Sequence, residues 1–261
     1  MGWLERYNFM RKVLITGLTG KRLNSIGPSF LEEYSKKYSG LYDLTVGINK
    51  TLLEGYKTVK IDLSDLNSLV ETFKGFDVVV NLAGNSDEKT SNFNDLIEPN
   101  IIATYNVFEA SRRADIKRVI MASSIHSIRG YPFGSNVGMN DSPKPLNYYG
   151  ATKAFIESMC HVYSQYLSCF AIRIGAYISD EALKVACPAR SNFDYILSQR
   201  DFAQLVYKAI VAPDDLKFAI LAGSSNNKNN YMDIEETKRL IDYKPEDNGY
   251  AMCKPHIVGK L

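Results

Sequence analysis

The stretch Val13-Leu14-Ile15-Thr16-Gly17-Leu18-Thr19-Gly20 decides how this chain folds. Its short apolar run reads as a buried strand. Gly17 and Gly20 stand where that strand ends, and glycine lets the backbone turn tightly there into a helix. A pyrophosphate could then approach the free amides of the helix start. A three-glycine turn would place its last glycine where the chain has Leu23; Ile26-Gly27 reads as the usual pair, displaced by an insertion from Lys21 to Ser25. Two glycines alone also fit an ordinary strand-turn-helix junction, so the reading depends on the rest of the chain.

Downstream of the turn, short β-branched runs alternate with helical stretches. Strands are predicted over Arg11 to Thr16, Tyr42 to Gly47, Thr58 to Asp62, Asp77 to Leu82, Arg118 to Ala122, Cys169 to Ile174 and Lys217 to Leu221. Helices are predicted over Ser29 to Tyr38, Ser64 to Phe73 with Ser64 as cap, Asn94 to Arg113 with Pro99 bending or restarting it, and Leu146 to Tyr166. Such alternation predicts a doubly wound α/β protein with a parallel sheet. Gly130 to Pro145 carries three prolines and reads as a loop over the sheet edge, and Ser224 to Asn230 as a polar loop. The expectation is a single domain over 1–261, with a dinucleotide-binding core at 11–175 and mainly substrate-side and C-terminal elements at 176–261.

Composition narrows the class. With 261 residues, 45% hydrophobic and 23% charged, the chain can bury one substantial core. A net charge of +2 gives no argument for nucleic acid or an anionic membrane surface. No apolar run approaches the ~20 residues needed to span a bilayer. The first ten residues read as a short extension ahead of the first strand, not as a secretory signal. Cys160, Cys169, Cys187 and Cys253 have no C-x-x-C spacing and read as reduced structural thiols; no metal site is expected. A cytoplasmic location is the expectation from these features.

The chemistry is concentrated in Tyr149-Gly150-Ala151-Thr152-Lys153, with Ser123-Ser124 one strand end upstream. A tyrosine and a lysine four apart share a helix face. An ammonium held there can lower the pKa of a phenol that otherwise titrates near ~10. A serine hydroxyl from a separate strand can hold the oxygen whose proton the phenolate removes. Nearer the first strand, the end of the second strand reads Gly47-Ile48-Asn49-Lys50, without the acid that would grip an adenosine ribose. Lys21, Arg22 or Lys50 could contact a 2′-phosphate, so NAD and NADP both stay open. Asp62, followed by Leu63, could accept a bond from an adenine amino group or belong to the helix cap.

These residues resemble the extended short-chain dehydrogenase/reductases, the NAD-dependent epimerase/dehydratase group, and within it the uronate dehydrogenase-like sugar dehydrogenases. The resemblance runs from about residue 11 to 250. It is carried by Asn81-Leu-Ala-Gly84, Ser86-Asp-Glu88, Asn100-Ile-Ile-Ala-Thr-Tyr-Asn106, Ala122-Ser-Ser-Ile-His126, Tyr149-Gly-Ala-Thr-Lys153, Arg173-Ile-Gly175, Leu197-Ser-Gln-Arg-Asp-Phe202 and Ile241-Asp-Tyr-Lys-Pro245. It implies a Rossmann-type sheet with a small C-terminal substrate-binding portion. By motif match it also implies Tyr149 as base, Lys153 tuning it and holding the nicotinamide ribose, Ser124 on the reacting hydroxyl, and Asn100 supporting a proton relay.

The same resemblance puts the cofactor against Gly17, Thr19, Gly20, Ile26, Asn49, Asp62 and Leu63 on one side. Leu82, Ala83, Gly84 and Lys153 are on the other. Substrate would meet Ser86, Ser124, Ile125, His126, Tyr149 and Arg190. Ile125 stands where the relatives carry an asparagine, which removes hydrogen bonds and shifts specificity. The implied activity is oxidation of a small sugar, uronic acid or sugar phosphate with NAD or NADP, by a homodimer. The alternatives are a nucleotide-sugar epimerase or dehydratase, and a catalytically silent NAD(P)-binding sensor. The short stretch after the sixth strand disfavours the first, and the intact tyrosine-lysine pair the second.

Overall fold

The computed structural model describes residues 10–19 and 26–257. The expected N-terminal extension, Gly20 and the Lys21–Ser25 insertion lie outside the described residues. Among the described residues, β1 (Lys12–Thr16), β2 (Asp43–Ile48), β3 (Thr58–Lys60), β4 (Val78–Asn81), β5 (Arg118–Ser124), β6 (Ser168–Ile174) and a last strand, Phe218–Gly223, form one sheet. All pairings are parallel, in the order β3-β2-β1-β4-β5-β6 with the last strand beside β6. The order reverses between β1 and β4, and at that point the crossovers leave opposite faces and open a crevice at the strand ends.

Period-two alternation assigns each strand residue to one of two cores. Val13, Ile15, Val78, Val80, Ile120, Phe170 and Ile172 face α1 (Ile26–Glu33) and the later helix Gln199–Ile210, packing on Phe30, Leu31, Phe202 and Val206. Leu14, Val79, Val119, Met121 and Ala171 face the other way. There they meet α2 (Leu66–Phe73), α3 (Ala103–Arg113) and α4 (Tyr148–Tyr163) through Leu69, Val107, Phe108 and Ile156. Strands buried on both faces explain the near-continuous apolar runs in the sequence.

The cap of the Leu66–Phe73 helix and a second small sheet depart from the sequence reading, while the restart at Pro99 agrees with it. The cap of α2 is Asp65, whose carboxylate accepts from Ser68 N at 3.0 Å; Ser64 instead bonds to Asp62. The expected long helix from Asn94 restarts around Pro99: a widened turn, Ile97–Ile102, separates Asn94–Leu96 from α3. A second, two-stranded parallel sheet, β7 (Ala176–Ile178) with β8 (Ile196–Ser198), was not read from sequence, because three-residue strands carry no usable period.

The cysteine expectation is corrected. Cys187 and Cys253 form a disulfide with their Cα atoms 5.2 Å apart, while Cys160 and Cys169 are free and buried. The pair lies 66 residues apart and meets only because Gly249–Ile257 folds back on Leu183–Ala186, a contact that spacing rules for short motifs cannot register. Among the described residues no helix is long and apolar enough to cross a membrane, and no cluster of three metal-ligating side chains occurs.

Candidate active site

Two adjoining cavities open at the carboxyl ends of the strands and share Gly84 and Asn85. The first, about 540 Å³, is walled by Gly17, Thr19, Asn49, Asp62, Leu63, Ala83 and Gly84. The second, about 490 Å³, holds Ile26, Leu82, Ser86, Ser124, Ile125, His126, Tyr149, Lys153 and Arg190. The described residues expected around cofactor and substrate thus come together in one continuous cleft at the β1/β4 switch point, Asn100 excepted.

The first cavity suits a dinucleotide. Gly17 has φ +84, and a Cβ there would stand 2.4 Å from Ala83 N, so β1 and the turn after β4 approach closer than any side chain permits. A Cβ on Gly27 would fall 1.9 Å from Leu18 O, which seats the start of α1 directly against the end of β1. That close seat is what the third glycine of such a turn provides, so Ile26-Gly27 fills its place. Asp62 accepts from Ser64 N and Ser64 Oγ at 2.9 and 2.7 Å through one oxygen, and these bonds hold its carboxyl below the usual range. It therefore shapes the turn as well as lining the cleft.

The second cavity is built around α4. Asn147 caps that helix, its Oδ1 accepting from Gly150 N at 2.7 Å. With this amide orientation set, Nδ2 donates to Glu88 O at 3.0 Å and faces His126 Nδ1 at 3.3 Å. The imidazole then carries its proton on Nε2, 2.7 Å from a Glu88 carboxylate oxygen. Burial holds His126 below its ordinary pKa despite the opposing pull of Glu88.

Tyr149 projects from the first turn of α4 into the cavity that Ser124 lines from the end of β5. Burial pushes the phenol above its usual value, and the nearby Ser124 hydroxyl works against that rise. Lys153 is buried one turn on; its Nζ donates to Ala122 O at 2.8 Å and lies 5.4 Å from the centre of the Tyr149 ring. Burial brings the ammonium down to about 8. The lysine is thus anchored to the strand beneath the tyrosine, and in this arrangement the phenol is not lowered.

Asn100 sits behind the cleft, 2% exposed. Its Oδ1 accepts from Asn85 N at 2.8 Å, and its Nδ2 donates to Asn85 O at 2.9 Å and Thr152 Oγ1 at 3.1 Å. The widened turn around Pro99 carries this side chain inward, where it clamps the Gly84–Asn85 turn to α4. Arg190 lines the cavity with its Nε buried and unpartnered. Sequence reading missed Arg129, Tyr177 and Tyr195, which share this wall; Arg129 stands only three residues past His126, the one signal that pointed to it.

Residues 13–179 match the family described as the NAD dependent epimerase/dehydratase family. The chain belongs to it. It is 31% identical to an L-arabinose 1-dehydrogenase (NAD(P)(+)) of Haloferax volcanii, over 94% of this chain and all of that one. It is 30% identical to a uronate dehydrogenase of Agrobacterium fabrum, over 95% and 89% of the two chains. The crystal structure of uronate dehydrogenase from Agrobacterium tumefaciens superposes with a TM-score of 0.79 at 27% identity, covering 97% of this chain and 90% of that one. The family and the uronate dehydrogenase-like branch expected from the motifs are therefore confirmed, and so is the Rossmann-type sheet. Sugar dehydrogenases similar over nearly the whole chain favour the dehydrogenase reading over the epimerase and sensor alternatives.

Proposed function

We propose that this protein is an NAD(P)-dependent dehydrogenase that oxidises a carbinol of a small sugar-type substrate, with Tyr149 as the base. The observation that carries the reading is the placement of Tyr149, Ser124 and Lys153 in one polar pocket that adjoins a dinucleotide-shaped cleft. A carbinol loses a proton from oxygen and a hydride from carbon, so base and hydride acceptor must flank one C–OH. Nicotinamide, when bound, supplies the hydride acceptor.

The protein's own residues supply the rest. Ser124 Oγ accepts from His126 N at 3.2 Å, which leaves its own proton for an incoming substrate oxygen. Tyr149 removes the hydroxyl proton. Lys153 places a cation beneath that phenol and offers its remaining N–H groups to the ribose. Asn100 holds the Gly84–Asn85 turn through which both cavities connect, so its role here is positioning. Gly17, Thr19, Ile26, Asn49, Asp62, Leu63, Leu82, Ala83 and Gly84 form the cradle for the dinucleotide. With no acid at the end of β2, the cradle accepts NAD and NADP alike.

We also read the enzyme as a homodimer through α3 and α4. Ile102 and Tyr105 are 45% and 42% exposed just before and within α3, and Tyr148 is 51% exposed on α4. The direct test is nicotinamide reduction at 340 nm with aldoses, uronic acids and sugar phosphates. Reduced cofactor should accumulate with wild type and fall by about 100-fold to 10,000-fold with Tyr149→Phe, whose dinucleotide affinity stays intact. Cofactor that is never released reduced would overturn the reading in favour of an epimerase.

A further inference from the structure

The substrate cavity contains a cation that the catalytic reading does not use. Arg129 follows the tight turn Ile125–Ile128 and lines the same wall as Arg190 and His126. Its guanidinium carbon lies 4.7 Å from the Phe133 ring centre, 5.2 Å from Tyr195 and 5.9 Å from Tyr231. Tyr231 is itself pinned, its one hydroxyl proton shared between Ile128 O and Tyr131 O, each 2.9 Å away. Aromatic faces attract a guanidinium but accept none of its hydrogen bonds along the edge. Among the described residues no carboxylate pairs with Arg129, and none pairs with Arg190.

Charge in this cavity does not balance internally. Glu88 is the carboxylate on its wall, and its Oε2 already receives His126 Nε2 at 2.7 Å. His126 is neutral there, so the single Glu88 charge stands against two guanidinium groups and the Lys153 ammonium. A pocket that keeps two unpaired arginines facing one concave space suits an anion with more acceptor oxygens than one carboxylate offers.

Resting on the dehydrogenase reading above, we infer that the substrate is a monosaccharide carrying a phosphate monoester, and that Arg129 together with Arg190 holds the phosphate. A phosphate monoester presents three terminal oxygens and up to two negative charges, which matches two forks. Stacking on three rings fixes the Arg129 fork before substrate arrives, so less side-chain freedom is lost on binding. Neutral aldoses leave both arginines unpaired, and a uronate offers them only two oxygens and one negative charge. A nucleotide sugar also carries phosphate, but a cavity of about 490 Å³ shared with the nicotinamide end has room for a single sugar unit.

The test compares kcat/KM for an aldose phosphate, the parent aldose, the matching uronic acid and a uridine diphosphate sugar, in wild type, Arg129→Met and Arg129→Lys. The aldose phosphate should be preferred over each of the others by at least ~10-fold. Arg129→Met should reduce that preference by about 10-fold to 100-fold, mainly through KM, the loss expected for one charge-assisted pair. Arg129→Lys should recover part of it, which a purely structural arginine would not do. Preference for any other substrate, or an unchanged ratio in Arg129→Met, overturns the inference.

A second measurement separates this inference from the dehydrogenase reading. Inorganic phosphate should raise the melting temperature of the wild type, and the rise should vanish in an Arg129→Met/Arg190→Met double variant. No such rise in the wild type, or the same rise in the double variant, overturns the phosphate site even if sugars are oxidised. A rise confined to the wild type, with no sugar reducing nicotinamide, would support the site and sink the activity.

Discussion

Lys153 Nζ donates to the Ala122 carbonyl at 2.8 Å, tying the helix that carries Tyr149 to the strand that ends in Ser124. Burial around this bond lowers the lysine to about 8 from an ordinary 10.5. The folded state therefore binds fewer protons here than the unfolded chain between those two values, so this site adds stability as pH rises through that window. Urea melts at about pH 7.5 and about 9.5 should show wild type gaining relative to Lys153→Met. A gap that stays constant with pH would refute the assignment.

The same helix face sets the pH dependence of turnover. Burial raises Tyr149, so the phenolate is scarce near neutrality and sugar oxidation should accelerate as the solution becomes alkaline. The rising limb belongs to the tyrosine-lysine pair as a unit. Tyr149→Phe removes the phenol and should abolish that limb in whatever activity remains. An unmoved limb in the variant would mean that another group is the base.

Glu157 and Arg173 form a buried ion pair under the active-site helix, with two bonds of 2.9 Å. Ser123 and Ser127 also donate to Glu157, at 2.7 and 2.8 Å, linking β5 and the turn that carries His126. Glu157→Gln or Arg173→Met alone should cost about 3–5 kcal/mol, because each leaves the partner charge buried and unpaired. The double variant Glu157→Leu/Arg173→Met should recover part of that loss in chemical denaturation. A double variant as unstable as the sum of the singles would show that the two groups act independently.

Gly17→Ala tests the dinucleotide cradle. The new Cβ would meet Ala83 N at 2.4 Å and Leu82 C at 2.5 Å, both backbone atoms that cannot swing aside, at φ +84. Dinucleotide affinity should fall by more than about 10-fold, with a lower melting temperature. Calorimetric binding equal to wild type would contradict the cradle.

The Cys187–Cys253 bridge closes a loop of 66 residues that includes Arg190 and β8. Chain-entropy reasoning puts its contribution at up to about 4 kcal/mol. Cys187→Ser should therefore melt earlier than wild type, and dithiothreitol should lower wild type towards the variant while leaving Cys187→Ser itself unmoved. Equal melting curves with and without reductant would show that the bridge carries no stability.

How much of this was legible in the sequence varies by element. The inner strands of the main sheet were, because both faces of a parallel sheet are buried there and each is a dense apolar run such as Val78-Val79-Val80. Tyr149 and Lys153 were legible because four residues make one helical turn. The role of Asp62 was open, since a carboxylate before Ser64 serves a turn and a ligand equally well. The β7/β8 pair was invisible, because three residues show no period. Asn100 was named from a motif, and only its inward path through the widened turn shows that its amide meets the Asn85 backbone and the Thr152 hydroxyl.

By itself, then, the sequence determined the alternation of strand and helix, the glycine turn after β1 and the spacing of tyrosine and lysine, all set by contacts within a few residues. The tertiary structure decided which distant groups meet: Cys187 with Cys253, His126 with Glu88 and Asn147, and Arg129 with three rings and the pocket of Arg190. Those meetings depend on crossovers that bring strand ends together across tens of residues, and no local pattern of side chains encodes where such ends will converge.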